Sequence, residues 1–235
     1  MSIFESVGIL SEGDCLITMP ALFNRVVIVG VGLIGSSIGL NLVKKKLARE
    51  VIGVGRNPKN LQMAVKREAV HRFVGSAKSL PLLESLSEDD LVILATPVRQ
   101  IIETLPHLPK IPLITDVGST KASIIKEATR RGLRFVGSHP IAGTEKSGAG
   151  AGTIHLFEKR VCLLTPSRGA SSRDVNRIQK LWKLCGSRTV RLSASEHDEI
   201  LSWVSHLPHA VVFALVKSVG DSVSAESIER FSLGG

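Results

Sequence analysis

Along the chain, short runs of β-branched or otherwise apolar residues alternate with segments of helical period. The runs cover residues 26–29, 51–54, 91–95, 113–115, 134–137 and 161–165. Unbroken apolarity, as opposed to strict alternation, suits strands whose sheet is covered on both faces, so the runs predict a mostly parallel sheet flanked by helices. The expected class is doubly wound α/β. Beyond Thr165 a loop over 166–172 leads into a helix from about 173 to 184 and a short strand around 189–192. Ser193-Ala194-Ser195-Glu196-His197-Asp198 then offers two overlapping capping boxes, Ser193 with Glu196 and Ser195 with Asp198. They open a long apolar helix running toward Val219. Pro208 lies inside it, removing one donor and pushing against the carbonyl of Val204, which predicts a bend near Ser205-His206. The expected organisation is an irregular extension over 1–22, an α/β domain over 23–192 and the beginning of a helical domain over 193–235.

Composition changes this picture little. The 235 residues are 43% hydrophobic and 22% charged, ordinary for a water-soluble globular chain. Cys15, Cys162 and Cys185 are odd in number and widely spaced, so neither a disulfide framework nor a metal site is expected. Glu5, Glu12 and Asp14 argue against a signal peptide. The longest late apolar run, 210–216, ends at Lys217 and is too short to cross a bilayer, so no membrane association and a cytoplasmic setting are expected. A formal charge of +9 suggests an anionic partner. Against nucleic acid stands an aromatic content of 4% with no tyrosine, too few rings for a stacking platform. A phosphorylated cofactor and an anionic substrate explain the charge equally well.

The motifs favour those small molecules. The apolar run at 26–29 leads directly into Gly30-Val31-Gly32-Leu33-Ile34-Gly35, with a helical pattern after it and a second strand at the right distance. This is the context that a dinucleotide fingerprint requires, and it makes the domain Rossmann-type. Gly30 permits the tight turn, Gly32 lets the backbone approach a pyrophosphate, and Gly35 allows close helix–strand packing. The amides of Leu33 and Ile34 open the helix toward the anion. About twenty residues beyond the glycines, NAD sites place a carboxylate for the ribose 2′-hydroxyl. Here Gly55 stands there, followed by Arg56 and Asn57. Room for a 2′-phosphate and a planar fork to pair with it predict NADP, with NAD possible.

Three further strand ends carry polar chemistry: Ala95-Thr96-Pro97, Asp116-Val117-Gly118-Ser119-Thr120-Lys121 and Gly137-Ser138-His139-Pro140. Ligands of open α/β sheets sit beyond such ends. A histidine and a serine at that edge are the parts an alcohol oxidation needs. Each has a plainer reading. His139 could be a hydrogen-bonded structural residue, Ser119 could cap a helix starting at Thr120, and Glu145-Lys146 could be a surface ion pair.

The segment from Gly137 through Ile141-Ala142-Gly143-Thr144-Glu145-Lys146-Ser147 to Gly148 resembles the part of prephenate/arogenate dehydrogenases that carries their catalytic histidine. The 116–121 segment is similar to their DVxSxK stretch, Gly32-Leu33-Ile34-Gly35 to their fingerprint, and Ser205-His206-Leu207-Pro208-His209 to their late SHLPH helix, with the His197-Asp198 pair upstream. The resemblance implies oxidative decarboxylation of prephenate or arogenate in tyrosine biosynthesis. His139 would accept the hydroxyl proton and Ser119 would orient hydroxyl and histidine. Glu145 would tune or gate the site, His206 would line the substrate pocket, and Thr96 and Pro97 would flank the nicotinamide. It also implies a homodimer. The chain stops at Phe231-Ser232-Leu233-Gly234-Gly235, short of an FRDxTR-type segment, so the arginine expected to hold a substrate carboxylate and most of the dimer domain are expected to be missing. Two alternatives stay open: a nucleotide-binding member without turnover, and a β-hydroxyacid-type reductase relying on Lys217.

Overall fold

The computed structural model describes residues 21–224, 226, 227 and 230. Residues 1–20 of the expected extension over 1–22, with Cys15, and the terminal 231–235 lie outside the described residues. Eight strands form one sheet: β1 (Phe23–Val29), β2 (Ala48–Gly55), β3 (Arg72–Gly75), β4 (Leu91–Leu94), β5 (Leu113–Asp116), β6 (Phe135–Pro140), β7 (Val161–Pro166) and β8 (Arg188–Arg191). Their order is β3-β2-β1-β4-β5-β6-β7-β8, and every pairing is parallel except β6 with β7. The expected doubly wound, mostly parallel sheet is therefore the one observed.

Each buried strand feeds two cores. Along β1, Val26 and Ile28 point to one face while Val27 points to the other. The first face is covered by α1 (Leu33–Lys44), α2 (Pro58–Lys66) and α6 (Ser172–Leu184), with Trp182 packed edge-on to Phe157. The second is covered by α3 (Leu80–Glu84), α4 (Val98–Thr104) and α5 (Ala122–Arg130). Burial on both faces is why these strands read as continuous apolar runs. It is also why β3 was not predicted: this edge strand is Arg72-Phe73-Val74-Gly75, largely exposed, and carries no such run.

The late helix begins as α7 (Ala194–Leu201), widens into one π-helical turn at Ser202–His206, and continues as α8 (Leu207–Ser222). The irregularity expected near Ser205-His206 is thus a π turn, where Pro208 cannot donate to the ladder and His209 Nδ1 donates to the Ser205 carbonyl at 2.7 Å. The Ser193–Glu196 capping box forms. The second expected box does not: Asp198 is directed away from Ser195, as described below. The run Ala194–Ser222 is, by length and composition alone, long and apolar enough to cross a membrane, although the uninterrupted stretch at 210–216 is not. Its first two turns bury His197 and Leu201 against the sheet domain, while Trp203, Val204, Phe213, Leu215 and Val216 are exposed. Lys217 is exposed and paired with Asp221, away from any cleft lined by the strand ends.

Candidate active site

Two clefts open at the carboxyl edge of the parallel strands. The first, about 430 Å³, is lined by Gly30, Gly32, Gly55, Arg56, Thr96 and Pro97 among others. Its floor is made by backbone. Gly30 has φ +96°, and a Cβ there would lie 2.6 Å from the Ala95 carbonyl, so only glycine makes this turn without strain. A Cβ on Gly35 would meet the Gly30 carbonyl at 2.2 Å, which lets α1 start tight against the strand. A Cβ on Gly32 would meet nothing within 4 Å. That atom would project toward the cleft, where a ligand's phosphates would approach. Gly32 caps α1 without a side-chain hydrogen bond, so the amides of Leu33, Ile34 and Gly35 have no intrahelical acceptor and could receive an anion with the helix dipole behind them. Leu33 and Ile34 do not line the cleft with their side chains, and Gly35 serves packing.

Arg56 lines the same cleft, and Asn57 both lines it and caps α2 by accepting from the Asn60 amide at 3.2 Å. The buried Thr96 hydroxyl has no protein partner, an orphaned polar atom in the cleft wall. Open space over the glycine turn, unpaired amides and this unmatched hydroxyl fit a dinucleotide. Sequence reasoning missed Asn60. Its Nδ2 donates to the Val31 carbonyl at 2.7 Å and its Oδ1 accepts from the Ala149 amide at 2.7 Å, tying the fingerprint turn to the loop after β6.

The second cleft, about 680 Å³, lies beside the end of β6 and is walled by α7 and the π turn; His139, Leu163, Val204 and His209 are among its lining residues. His139 Nδ1 is 2.9 Å from His197 Nε2, and His197 Nδ1 is 2.8 Å from Asp198 Oδ1. The tautomers follow from the far end. A carboxylate only accepts, so His197 donates from Nδ1 and leaves a lone pair on Nε2. His139 then donates from Nδ1, and its own Nε2 carries a lone pair available to a ligand's hydroxyl.

Asp198 anchors the relay through α5. Its Oδ1 accepts from the Lys121 amide at 2.7 Å and its Oδ2 from the Ala122 amide at 2.8 Å. Burial alone would raise its carboxyl, but the Ala122 amide, His197 and the Lys121 amide outweigh that and hold it below the usual range. This contact overturns two expectations. Asp198 caps α5 from another helix instead of closing a box with Ser195. Ser119 does not cap a helix starting at Thr120, because α5 starts at Ala122.

His139 is pushed down to about 3, chiefly by burial, then by the positive charge of Lys121 and by His197 and His206, against a smaller opposing effect of Asp198. Lys121 is fully buried and ion-paired with the equally buried Asp116, whose Oδ2 also accepts from the Gly118 amide at 2.8 Å and whose Oδ1 accepts from the Ser138 amide at 3.2 Å. Neither partner of this pair was singled out from the sequence. Both stand in the 116–121 segment that the sequence marks, but only the sheet shows that they are buried together under the site.

Of the other expected residues, Ser119 is exposed in the loop after β5, and its hydroxyl makes no hydrogen bond among the described residues. His206 is half-buried and close enough to act electrostatically on His139, but Ser205 and His209 line the cleft instead. Glu145 is exposed and lines neither cleft, so it is not brought into the site. Nor does it pair with Lys146. Among the described residues there is no cluster suited to a metal ion, and Cys162 and Cys185 are free, buried thiols whose ionisation burial suppresses.

The family description "Prephenate dehydrogenase, nucleotide-binding domain" matches residues 38–191, and "Prephenate dehydrogenase, dimerization domain" matches residues 193–235. A prephenate dehydrogenase of Bacillus subtilis is 33% identical over 92% of this chain, and the chain spans 60% of that relative's length. A cyclohexadienyl dehydrogenase of Zymomonas mobilis is 32% identical over 91% of the chain and 74% of its own length. The prephenate dehydrogenase of Aquifex aeolicus, solved in complex with hydroxyphenyl propionate and NAD+, superimposes with a TM-score of 0.81 at 32% identity, covering 91% of this chain and 75% of that one.

Proposed function

The chain belongs to the prephenate dehydrogenase family, and from that premise we propose that it oxidatively decarboxylates prephenate to 4-hydroxyphenylpyruvate, or arogenate to tyrosine, with NADP+ preferred. The observation that carries this reading is His139, a lining residue of an apolar cleft, with Nε2 in no hydrogen bond among the described residues and Nδ1 at the head of a relay fixed on Asp198. A nicotinamide dinucleotide, when bound, supplies the hydride acceptor. The protein's part is to hold the substrate hydroxyl and its proton. His139 accepts that hydroxyl at Nε2, takes the proton as hydride leaves the same carbon, and returns it to the oxygen once loss of CO2 has made the ring aromatic. The positive charge that arises spreads through His197 to Asp198, whose own charge is stabilised by the amides of α5. Keeping His139 neutral beforehand ensures that Nε2 is empty when the hydroxyl arrives. Ser119, exposed and unengaged, orients the hydroxyl from the loop after β5.

Gly55 and Arg56 support NADP, because they leave room for a 2′-phosphate and offer it a cation where a carboxylate would repel it. Gly30, Gly32, Leu33, Ile34 and Gly35 serve the pyrophosphate, and Thr96 and Pro97 the nicotinamide side. The boundary between a nucleotide domain over 23–192 and a helical domain from 193 fits the α7 cap at Ser193. The exposed apolar side chains of α8 suit burial in a homodimer better than a bilayer, since α7 in the same helical run is packed on the sheet domain. A cytoplasmic location completes the reading.

The test is NADPH formation by the 235-residue chain, given NADP+ with prephenate and, separately, with arogenate. Turnover of either is the expected result and identifies the substrate. NADP+ binding with turnover of neither would replace this reading by a nucleotide-binding protein.

A further inference from the structure

The cleft beside His139 is lined mainly by apolar side chains, and among its lining residues Arg160 alone carries a fixed charge. Arg25, Arg72, Arg99, Arg130, Arg131 and Arg134 each pair with a carboxylate. Arg160 is exposed and pairs with none among the described residues. Its backbone, by contrast, is fixed: its amide donates to the Phe157 carbonyl at 3.1 Å and its carbonyl accepts from the Arg188 amide at 2.9 Å. Next to it, the Val161 carbonyl accepts from the Ile141 amide at 2.8 Å, which holds this corner against the segment following His139. A cation on an anchored stem, unpaired at the rim of an apolar cleft, is arranged to meet an anion that enters with the ligand.

Building on the function proposed above, we propose that Arg160 binds the side-chain carboxylate of the substrate. Such a substrate carries its hydroxyl at one end of the ring and two carboxylates at the other, one on the ring carbon and one at the tip of the side chain. A guanidinium clamped on the ring carboxylate would stabilise the negative charge that must pass from that group into the ring as neutral CO2 leaves, and so would oppose the reaction. On the side-chain carboxylate the same ion pair persists unchanged from substrate to product and contributes binding alone. The tip of the side chain also lies farther from the hydroxyl, and Arg160 stands three residues along from Leu163, the residue opposite His139 in the β6–β7 pairing.

The probes are 3-(4-hydroxyphenyl)propionate, which keeps the hydroxyl and the side-chain carboxylate but has no ring carboxylate, and 4-ethylphenol, which has neither carboxylate. Their binding to the 235-residue chain, to Arg160→Gln and to Arg160→Lys is measured by calorimetry, with steady-state kinetics alongside. Arg160→Gln is expected to weaken the propionate on the order of 10- to 100-fold, as for loss of a charged hydrogen bond, and to leave 4-ethylphenol within about twofold. Arg160→Lys should fall between, and in turnover KM should rise with little change in kcat. Propionate binding equal to wild type in Arg160→Gln would overturn the inference, as would an equal loss for both phenols. An unchanged propionate affinity with a raised KM for prephenate would do so too, by assigning the fork to the ring carboxylate. A wild-type chain that binds neither phenol would instead overturn the functional reading itself.

Discussion

The two clefts share one sheet edge and are built in opposite ways. The dinucleotide cleft is mostly backbone: a positive-φ turn at Gly30, open space over Gly32 and the unpaired amides that begin α1. The histidine site is mostly side chain, assembled from β5, β6 and α7 and tied down by the amides that begin α5, with His139, His197, Asp198, Lys121 and Asp116 in contact through hydrogen bonds and one buried ion pair. A backbone site depends on what is absent, namely a Cβ in the wrong place. A side-chain site depends on each atom being present and in the right protonation state. The two should therefore fail differently when they are mutated.

The largest difference is expected at His139. Replacing it with Gln should lower kcat by about 10²- to 10⁴-fold, the range for losing a positioned proton acceptor, and leave NADP+ affinity unchanged. Equal losses of turnover and of nucleotide binding would mean that the two clefts are not separable. Next comes Asp198→Asn. Losing the charge that backs the relay should lower kcat roughly 10- to 100-fold, the scale seen when an orienting partner is removed. One amide oxygen also cannot replace both carboxylate oxygens over α5, so the melting temperature should fall, by an amount matching about 1 kcal/mol. A variant with normal kcat and a lowered melting temperature would reduce Asp198 to a helix cap.

That contrast also explains what could be read in advance. Glycines at fixed offsets between a strand and a helix announce a backbone site locally, so Gly30, Gly32 and Gly35 were legible without any knowledge of the fold. His139 was legible only through resemblance, because a histidine before a proline at a strand end means nothing by itself. The relay was not legible. His197 and Asp198 looked like the start of a capped helix, and only the packing of α7 on α5 turns Asp198 toward the amides of Lys121 and Ala122. Lys121 and Asp116 were quoted within the 116–121 segment but given no role, for the same reason, since burial is a property of the whole sheet. Strand β3 was missed because an exposed edge does not need the apolar run by which the other strands were found.

On the backbone side, smaller effects sharpen the comparison. Gly32→Ala adds a Cβ where the protein has no atom within 4 Å, so the melting temperature should hold while NADP+ affinity drops by about tenfold or more through lost approach of the phosphates. A drop in melting temperature without a loss of affinity would show that the space over Gly32 is not the ligand's. Arg56→Ala should cost NADP+ about tenfold and leave NAD+ nearly untouched, as expected for one exposed phosphate contact. Equal effects on both nucleotides would withdraw the preference for NADP.

The smallest expected effect is a pH dependence of stability that belongs to the side-chain site alone. The proton affinity of His139 falls in the folded state from 6.5 to about 3, first through burial and then through the charge of Lys121. The unfolded chain therefore binds a proton at this residue below about pH 6.5 that the folded chain refuses until about pH 3. Stability from this group is fully present above that window and is lost as pH falls through it, with a limiting slope of about 1.4 kcal/mol per pH unit. Partial exposure of the ring narrows that window and leaves the slope as it is. Urea denaturation at pH 7 and pH 5 should show wild type losing on the order of 1 kcal/mol more than His139→Gln. The carboxylates held low in the fold, Asp198 among them, are ionised in both states over most of this interval and contribute little to the difference. Parallel losses in the two proteins would mean that His139 is not kept neutral by its surroundings. Its Nε2 could then carry a proton before the hydroxyl arrives, and the role assigned to it as the proton's first acceptor would pass to another group.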